Sequence, residues 1–116
     1  RYKWNKNRLE KLLNDKTSKQ SVFYQKIMNL IYIKKQNKAF HPNAKRENLN
    51  MGRKIFCFKR TSLDKKQVIY NITNLSSKTQ KLNFNSKFKK YKNLLGRPNI
   101  SYGLELKPHQ TLWLTN

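Results

Sequence analysis

The feature that most constrains the fold is a change of hydrophobic period near residue 45, from 3.6 upstream to 2 downstream. Helices and strands bury their apolar faces with these two different spacings, so the chain is expected to build helices first and sheet second. Upstream, Leu9, Leu12 and Leu13 stand at i, i+3 and i+4 and predict a short amphipathic helix. Thr17-Ser18-Lys19-Gln20 fits a capping box, with Thr17 at the N-cap and Gln20 at N3, and opens a helix over 17–38. Phe23, Ile27, Leu30 and Ile31 fall on one face of that helix, and Tyr24, Met28 and Ile33 widen it. Lys34, Lys35 and Lys38 close its last turn, where the helix dipole favours cations, and Pro42 stops any continuation. So wide an apolar face expects a larger partner surface; left bare, Phe23, Ile27 and Ile31 are expected to drive self-association through helix 17–38.

Downstream, Met51-Gly52-Arg53 is a turn candidate joining 46–50 to 54–60 in a hairpin. Ile55-Phe56-Cys57-Phe58 is apolar on both faces and reads as a buried central strand. Val68, Tyr70 and Ile72 alternate with polar neighbours, as do Leu82 with Phe84, and Ile100 and Tyr102 with Leu104 and Leu106. Residues 111–114 form a last β-type run after Pro108. Polar clusters at 61–64, 74–77 and 96–99 separate the runs. Five or six short strands at this spacing suggest an antiparallel sandwich or barrel, and no internal repeat is visible.

Composition narrows the function classes. The 116 residues suffice for one ordinary domain, and no apolar run approaches the roughly 18 residues of a membrane-spanning helix. An aromatic content of 12% argues against disorder, because it supplies side chains that bury large areas. The single Cys57 excludes an internal disulfide framework and a cysteine-based zinc site. Charge is extreme, with 27 Lys+Arg against 5 Asp+Glu and a net +22. Such a field attracts nucleic acid, anionic lipid and acidic proteins. Yet the cations are 21 Lys to 6 Arg, beside 15 Asn and only two Ala, the bias of an AT-rich genome. Phosphate binders often lean on Arg, which grips phosphate with two hydrogen bonds.

One ordered set of segments points further. Ala39-Phe40-His41-Pro42-Asn43-Ala44 follows the long helix. Then come Phe56-Cys57-Phe58-Lys59-Arg60-Thr61-Ser62, Asn71-Ile72-Thr73-Asn74-Leu75-Ser76 and Tyr91-Lys92-Asn93-Leu94-Leu95-Gly96. Leu104-Glu105-Leu106-Lys107-Pro108-His109-Gln110-Thr111-Leu112-Trp113-Leu114 completes it, and the opening Arg1-Tyr2-Lys3-Trp4-Asn5 with Leu9-Glu10 agrees. The set resembles the C-terminal region of the sucrose phosphorylases and glucosylglycerate phosphorylases of the α-amylase superfamily (glycoside hydrolase family thirteen). The resemblance implies a mainly β chain: an amylase-type antiparallel β-sandwich preceded by one or two helices from the end of a (β/α)8 barrel. It places residues 1–44 at the end of a truncated barrel and 45–116 in the C-terminal domain. It also implies a cytoplasmic enzyme of carbohydrate metabolism, a retaining glycosyltransferase-type phosphorylase whose catalytic carboxylates sit on earlier barrel loops. None of those motifs is in this chain, so no catalytic, cofactor-binding or metal-ligating residue is carried over. The expected role is non-catalytic: bracing the catalytic barrel as a C-terminal fragment.

The residues with chemistry of their own read blandly beside this. Glu10, Asp15, Glu47, Asp64 and Glu105 are the only carboxylates, and nothing in their spacing brings two together. His41 and His109 lack a third metal ligand, and His41 suits a structural hydrogen bond at the helix-to-sheet joint. Cys57 between aromatics reads as a small buried hydrophobe. Asn71-Ile72-Thr73, Asn74-Leu75-Ser76 and Asn99-Ile100-Ser101 are sequons that an Asn-rich chain produces by chance. Trp4 and Trp113 offer stacking surfaces for sugar rings, against which stands packing of Trp113 in the core or between domains. Lys87-Phe88-Lys89-Lys90-Tyr91-Lys92 is the best nucleic-acid candidate, the alternative function class, with rings for bases and lysines for phosphates. It carries no named signature, and only non-specific charge attraction is expected of it.

Overall fold

Period 3.6 gives two helices, α1 (Lys6–Asn14) and α2 (Lys19–Gln36), in a computed structural model that describes residues 3–82, 90–96 and 104–116. The Asn5 side chain caps α1 by accepting from the Arg8 amide at 3.2 Å. The N-cap of α2 is Ser18, one residue beyond the expected Thr17, because its hydroxyl accepts from the Ser21 amide at 3.0 Å. The Ser18 hydroxyl in turn donates to the Leu12 carbonyl, tying the start of α2 to the end of α1. Thr17 instead bonds back to Asp15 through its amide, at 2.9 Å, and its hydroxyl, at 2.7 Å. The helix also ends at Gln36, two residues short of the expected 38, since Lys38–Phe40 wind into a separate 3-10 turn.

Residues Arg1–Gln36 form one compact unit and Asn37–Asn116 a second. Residues 37–44, read from the sequence as barrel end, are thus built into the sheet unit. The Arg60 guanidinium donates to the Ala39 carbonyl at 2.8 Å and the His41 carbonyl at 2.6 Å. The Gln67 side chain accepts from the Ala39 amide and donates to the Asn37 side chain.

Period 2 gives antiparallel sheet: β1 (Lys45–Asn50), β2 (Ile55–Thr61), β3 (Val68–Asn74), β4 (Gln80–Leu82), β5 (Lys92–Asn93), β6 (Leu104–Leu106) and β7 (Thr111–Thr115). Five of the described strands form one sheet in the order β1-β2-β3-β7-β5, and β4 pairs with β6 in a second. The β1–β2 hairpin turns through Gly52, whose φ of 88° lies where a side chain is strained. Ile55, Cys57, Tyr70, Ile72, Leu112 and Leu114 on the inner face of the larger sheet share one core with Leu82, Leu104 and Leu106 of the smaller. Among the described residues the chain is therefore mainly antiparallel sheet, with two α-helices. Phe84, Ile100, Tyr102 and the turn at 97–99 lie outside the described residues.

The expected two-sided burial of β2 does not occur. Ile55 and Cys57 point into the core, while Phe56, on the opposite side of the pleat, remains 40% exposed and Phe58 is half-buried. The smaller sheet covers one face of the larger. On the other face the Phe40 ring packs, tilted, against Trp113 at 4.8 Å, and the 3-10 turn packs on β2.

Candidate functional site

All five carboxylates are occupied by local partners, and none of those partners is another carboxylate. Glu47, on β1, meets Lys59 of β2 at 2.8 Å and Lys45 at 3.3 Å, as the β1–β2 register dictates. Asp64 accepts from Ser62 at 2.7 Å, from Lys38 at 3.0 Å and from the Lys66 amide at 3.1 Å. Glu105 lies 3.6 Å from Lys81 across the β4–β6 pair, and Glu10 lies 3.9 Å from Lys6 one helical turn away. Asp15 is held by Thr17.

These contacts fix the direction of the acidities. The hydroxyl of Ser62 and the ammonium of Lys38 hold the Asp64 carboxyl well below its usual range, Lys59 and Lys45 lower that of Glu47, and Thr17 lowers that of Asp15. A general acid of glycoside chemistry needs the opposite shift, a carboxyl raised by burial until it keeps its proton near neutrality. An open groove of about 390 Å³ lined by Asn43, Lys45, Glu47, Lys59, Ser62 and Lys65 contains only such a depressed carboxylate.

The other candidates are structural in their geometry. Burial pushes the Cys57 thiol up to about 11, which keeps it protonated and unreactive at neutral pH. His41 accepts from the Asn43 amide at 3.2 Å through Nδ1 while its carbonyl receives Arg60, the joint-stabilising role expected of it. His109 sits in the turn before β7 with φ 57°. Among the described residues no group of three or more His, Cys, Asp or Glu side chains assembles into a metal site.

Two sequons are closed to modification by burial. Asn71 donates to Thr73 at 3.2 Å and accepts from the Trp113 indole at 2.8 Å, and Asn74 is wholly buried. The third, at Asn99, lies outside the described residues. Trp113 is half-buried between Phe40 and Asn71, packed as the sequence suggested for it, and Trp4 is exposed. Of the lysine–aromatic cluster, 87–89 lie outside the described residues. Tyr91 is turned inward, its ring 5.8 Å from Tyr70 and packed on the core, which takes from the cluster the ring nearest its end.

Two apolar surfaces stand out among the described residues. On α2, at about 100° per residue, Phe23, Tyr24, Ile27, Met28, Leu30, Ile31 and Tyr32 span about 200° of the circumference, and all are exposed. A surface helix needs an apolar stripe of only about 100°. On the sheet unit, the face opposite the core carries Phe56 and Phe58, 5.6 Å apart, beneath the Arg46 guanidinium, which lies 4.4 Å from the Phe58 centroid. Nothing in the sequence marks this second surface beyond the alternation itself, in which Phe56 and Phe58 share a parity opposite to Ile55 and Cys57.

No described helix is long and apolar enough to cross a membrane. Comparison with protein-family models returned no match, and comparison with curated proteins returned none either.

Proposed function

We propose that this chain is the non-catalytic C-terminal region of a sucrose-phosphorylase-like enzyme, and that it braces a catalytic (β/α)8 barrel. The intact enzyme moves a glucosyl unit between a glucoside and inorganic phosphate in the cytoplasm. In this reading the helical unit is the barrel's final helical layer and the β unit an amylase-type C-terminal sandwich.

The observation that carries the reading is α2. An apolar surface about 200° wide suits a helix gripped on several sides, as one in the outer ring of a barrel is gripped by the strands beneath it and the helices beside it. Two further points agree. Every segment that carries the resemblance falls partly or wholly on a described element, from the 3-10 turn through β2, β3, β5, β6 and β7. And each carboxylate is matched to a hydroxyl or a lysine, with three of them shifted away from the acidity that acid catalysis requires.

The test joins this chain to the barrel of a sucrose phosphorylase from which the final helix and C-terminal domain have been removed. Release of glucose 1-phosphate from sucrose and phosphate is then followed. The joined protein is expected to be soluble and active, the cut barrel inactive and the 116-residue chain alone inert. A joined protein no more active than the cut barrel overturns the bracing role, and phosphorolysis by the chain alone overturns its non-catalytic assignment.

A further inference from the structure

We propose that the open groove lined by Lys45, Lys59 and Lys65 binds a phosphate monoester of a small hydroxylated molecule, a sugar phosphate in its chemistry. This site belongs wholly to the sheet unit and is independent of the bracing role and of α2.

Strand register builds two of its walls. On β2, Lys59 and Thr61 continue the parity of Ile55 and Cys57, and on β1 their partners are Glu47 and Lys45. Two ammoniums, a carboxylate and a hydroxyl therefore project from one side of the hairpin into the groove. Glu47 accepts from Lys59 at 2.8 Å and from Lys45 at 3.3 Å. That fixes both ammoniums without exhausting them, since each carries three donors.

The third cation comes from the turn after β2. The Ser62 hydroxyl donates to Asp64 at 2.7 Å and accepts from the Gln67 amide at 2.9 Å, and the Lys65 amide donates to the Ser62 carbonyl at 2.9 Å. These bonds hold Lys65 at φ 58°, a backbone that lysine seldom adopts and that persists only where its surroundings impose it. Among the described residues Lys65 has no ion pair. The Asn43 amide and the Thr61 hydroxyl also line the groove, and neither side chain is hydrogen-bonded among the described residues.

Charge and composition select the ligand. Three ammoniums against one carboxylate leave the groove with a surplus of two positive charges. A phosphate monoester carries about −1.5 to −2 at neutral pH, on three strong acceptor oxygens. The uncommitted amide and hydroxyl suit hydroxyls on the rest of the molecule. A volume of about 390 Å³ falls within the range of small-molecule sites. A nucleic-acid strand fits less well, because no described aromatic ring lines the groove and single-strand sites stack bases on such rings.

Equilibrium dialysis of the 116-residue chain against radiolabelled glucose 6-phosphate tests this, in about 150 mM NaCl to screen diffuse attraction. Saturation at one equivalent is expected, with a Kd of about 1 mM or tighter. Sulfate and glucose are each expected to bind at least about ten-fold more weakly. Acetylation followed by mass spectrometry is expected to find Lys45, Lys59 and Lys65 protected by the ligand and the exposed Lys78 unprotected. Lys65→Asn keeps a residue that tolerates the left-handed backbone, and it is expected to weaken binding about ten-fold. Lys78→Gln, an equal loss of charge outside the groove, is expected to change it by less than about two-fold. Uptake that does not saturate, or equal weakening by the two variants, overturns the inference in favour of diffuse charge. Sulfate binding as tightly as the sugar phosphate overturns it in favour of an unselective anion site. Displacement by oligo(dT) at equal phosphate concentration overturns it in favour of nucleic acid.

Discussion

Asn74 joins the two sheets through one amide. It sits on β3 on the same side as Tyr70 and Ile72, facing the core, where an apolar residue would be the ordinary choice. Its Nδ2 donates to the carbonyls of Lys78, Leu106 and Lys107, and its Oδ1 accepts from the amide and hydroxyl of Ser76. One side chain thereby satisfies backbone groups at the end of β6 and in the turn that leads to β4. Removing it takes that donor from the buried Leu106 carbonyl and the acceptor from the Ser76 amide, while Lys78 and Lys107 keep Ser76 and Gln110 as donors; each such loss is worth roughly 1–3 kcal/mol. Asn74→Ala is therefore expected to destabilise the β unit by about 2–4 kcal/mol, read from urea unfolding, and a change under about 0.5 kcal/mol would show that water replaces it. The sequence offered Asn74 as a turn residue and part of a sequon, because a keystone amide and a surface amide look the same until the strands that meet it are known. Phe56 failed in the opposite direction. Four apolar residues in a row cannot report that only one face of the sheet has a cover.

At the scale of elements, periodicity carried most of the information. The β1–β2 hairpin, β3 and β7 occur where alternation and turn residues place them, since those signals are local. The start of α2 was displaced by one residue because Thr17 and Ser18 are both good caps, and Asp15 captures Thr17 first. The width of the α2 face was legible, and in the structure Phe23, Tyr24, Ile27, Met28, Leu30, Ile31 and Tyr32 stay exposed. That exposure has a direct readout. The isolated chain is expected to brighten a hydrophobic dye and to sediment faster as concentration rises. The pair Phe23→Lys and Ile31→Lys should reduce both effects several-fold while the unfolding midpoint of the β unit stays put. Unchanged dye binding would mean that the apolar surface being read lies elsewhere.

The whole molecule is governed by charge in a way no single contact reveals. Five ion pairs are present among the described residues, all with at least one exposed or half-exposed partner, so each contributes little. Against them stand 27 cations to 5 anions, and the repulsion among unmatched cations outweighs the attractions. Salt screens both, with a Debye length of about 10 Å at 0.1 M. The larger effect decides the sign: raising NaCl from about 20 to 300 mM is expected to raise the melting temperature by a few degrees. A fall would show that the ion pairs dominate. Net charge was readable at a glance, whereas the strand order was not, because the pairing of β3 with β7 joins residues some forty positions apart and leaves no local trace.

That pairing has a consequence in time. β7 lies between β3 and β5, inside the sheet, yet it leaves the ribosome after every other strand of that sheet. The 36 residues between Asn74 and Thr111 take on the order of 2–7 s to synthesise at 5–20 residues per second. Throughout that interval one flank of β3 stays open, with Ile69 and Ile72 beside an unfilled slot. The nascent chain thus waits in an unfinished state that chaperones and proteases can read, and the sheet is settled only when its latest-made strand slides into the middle.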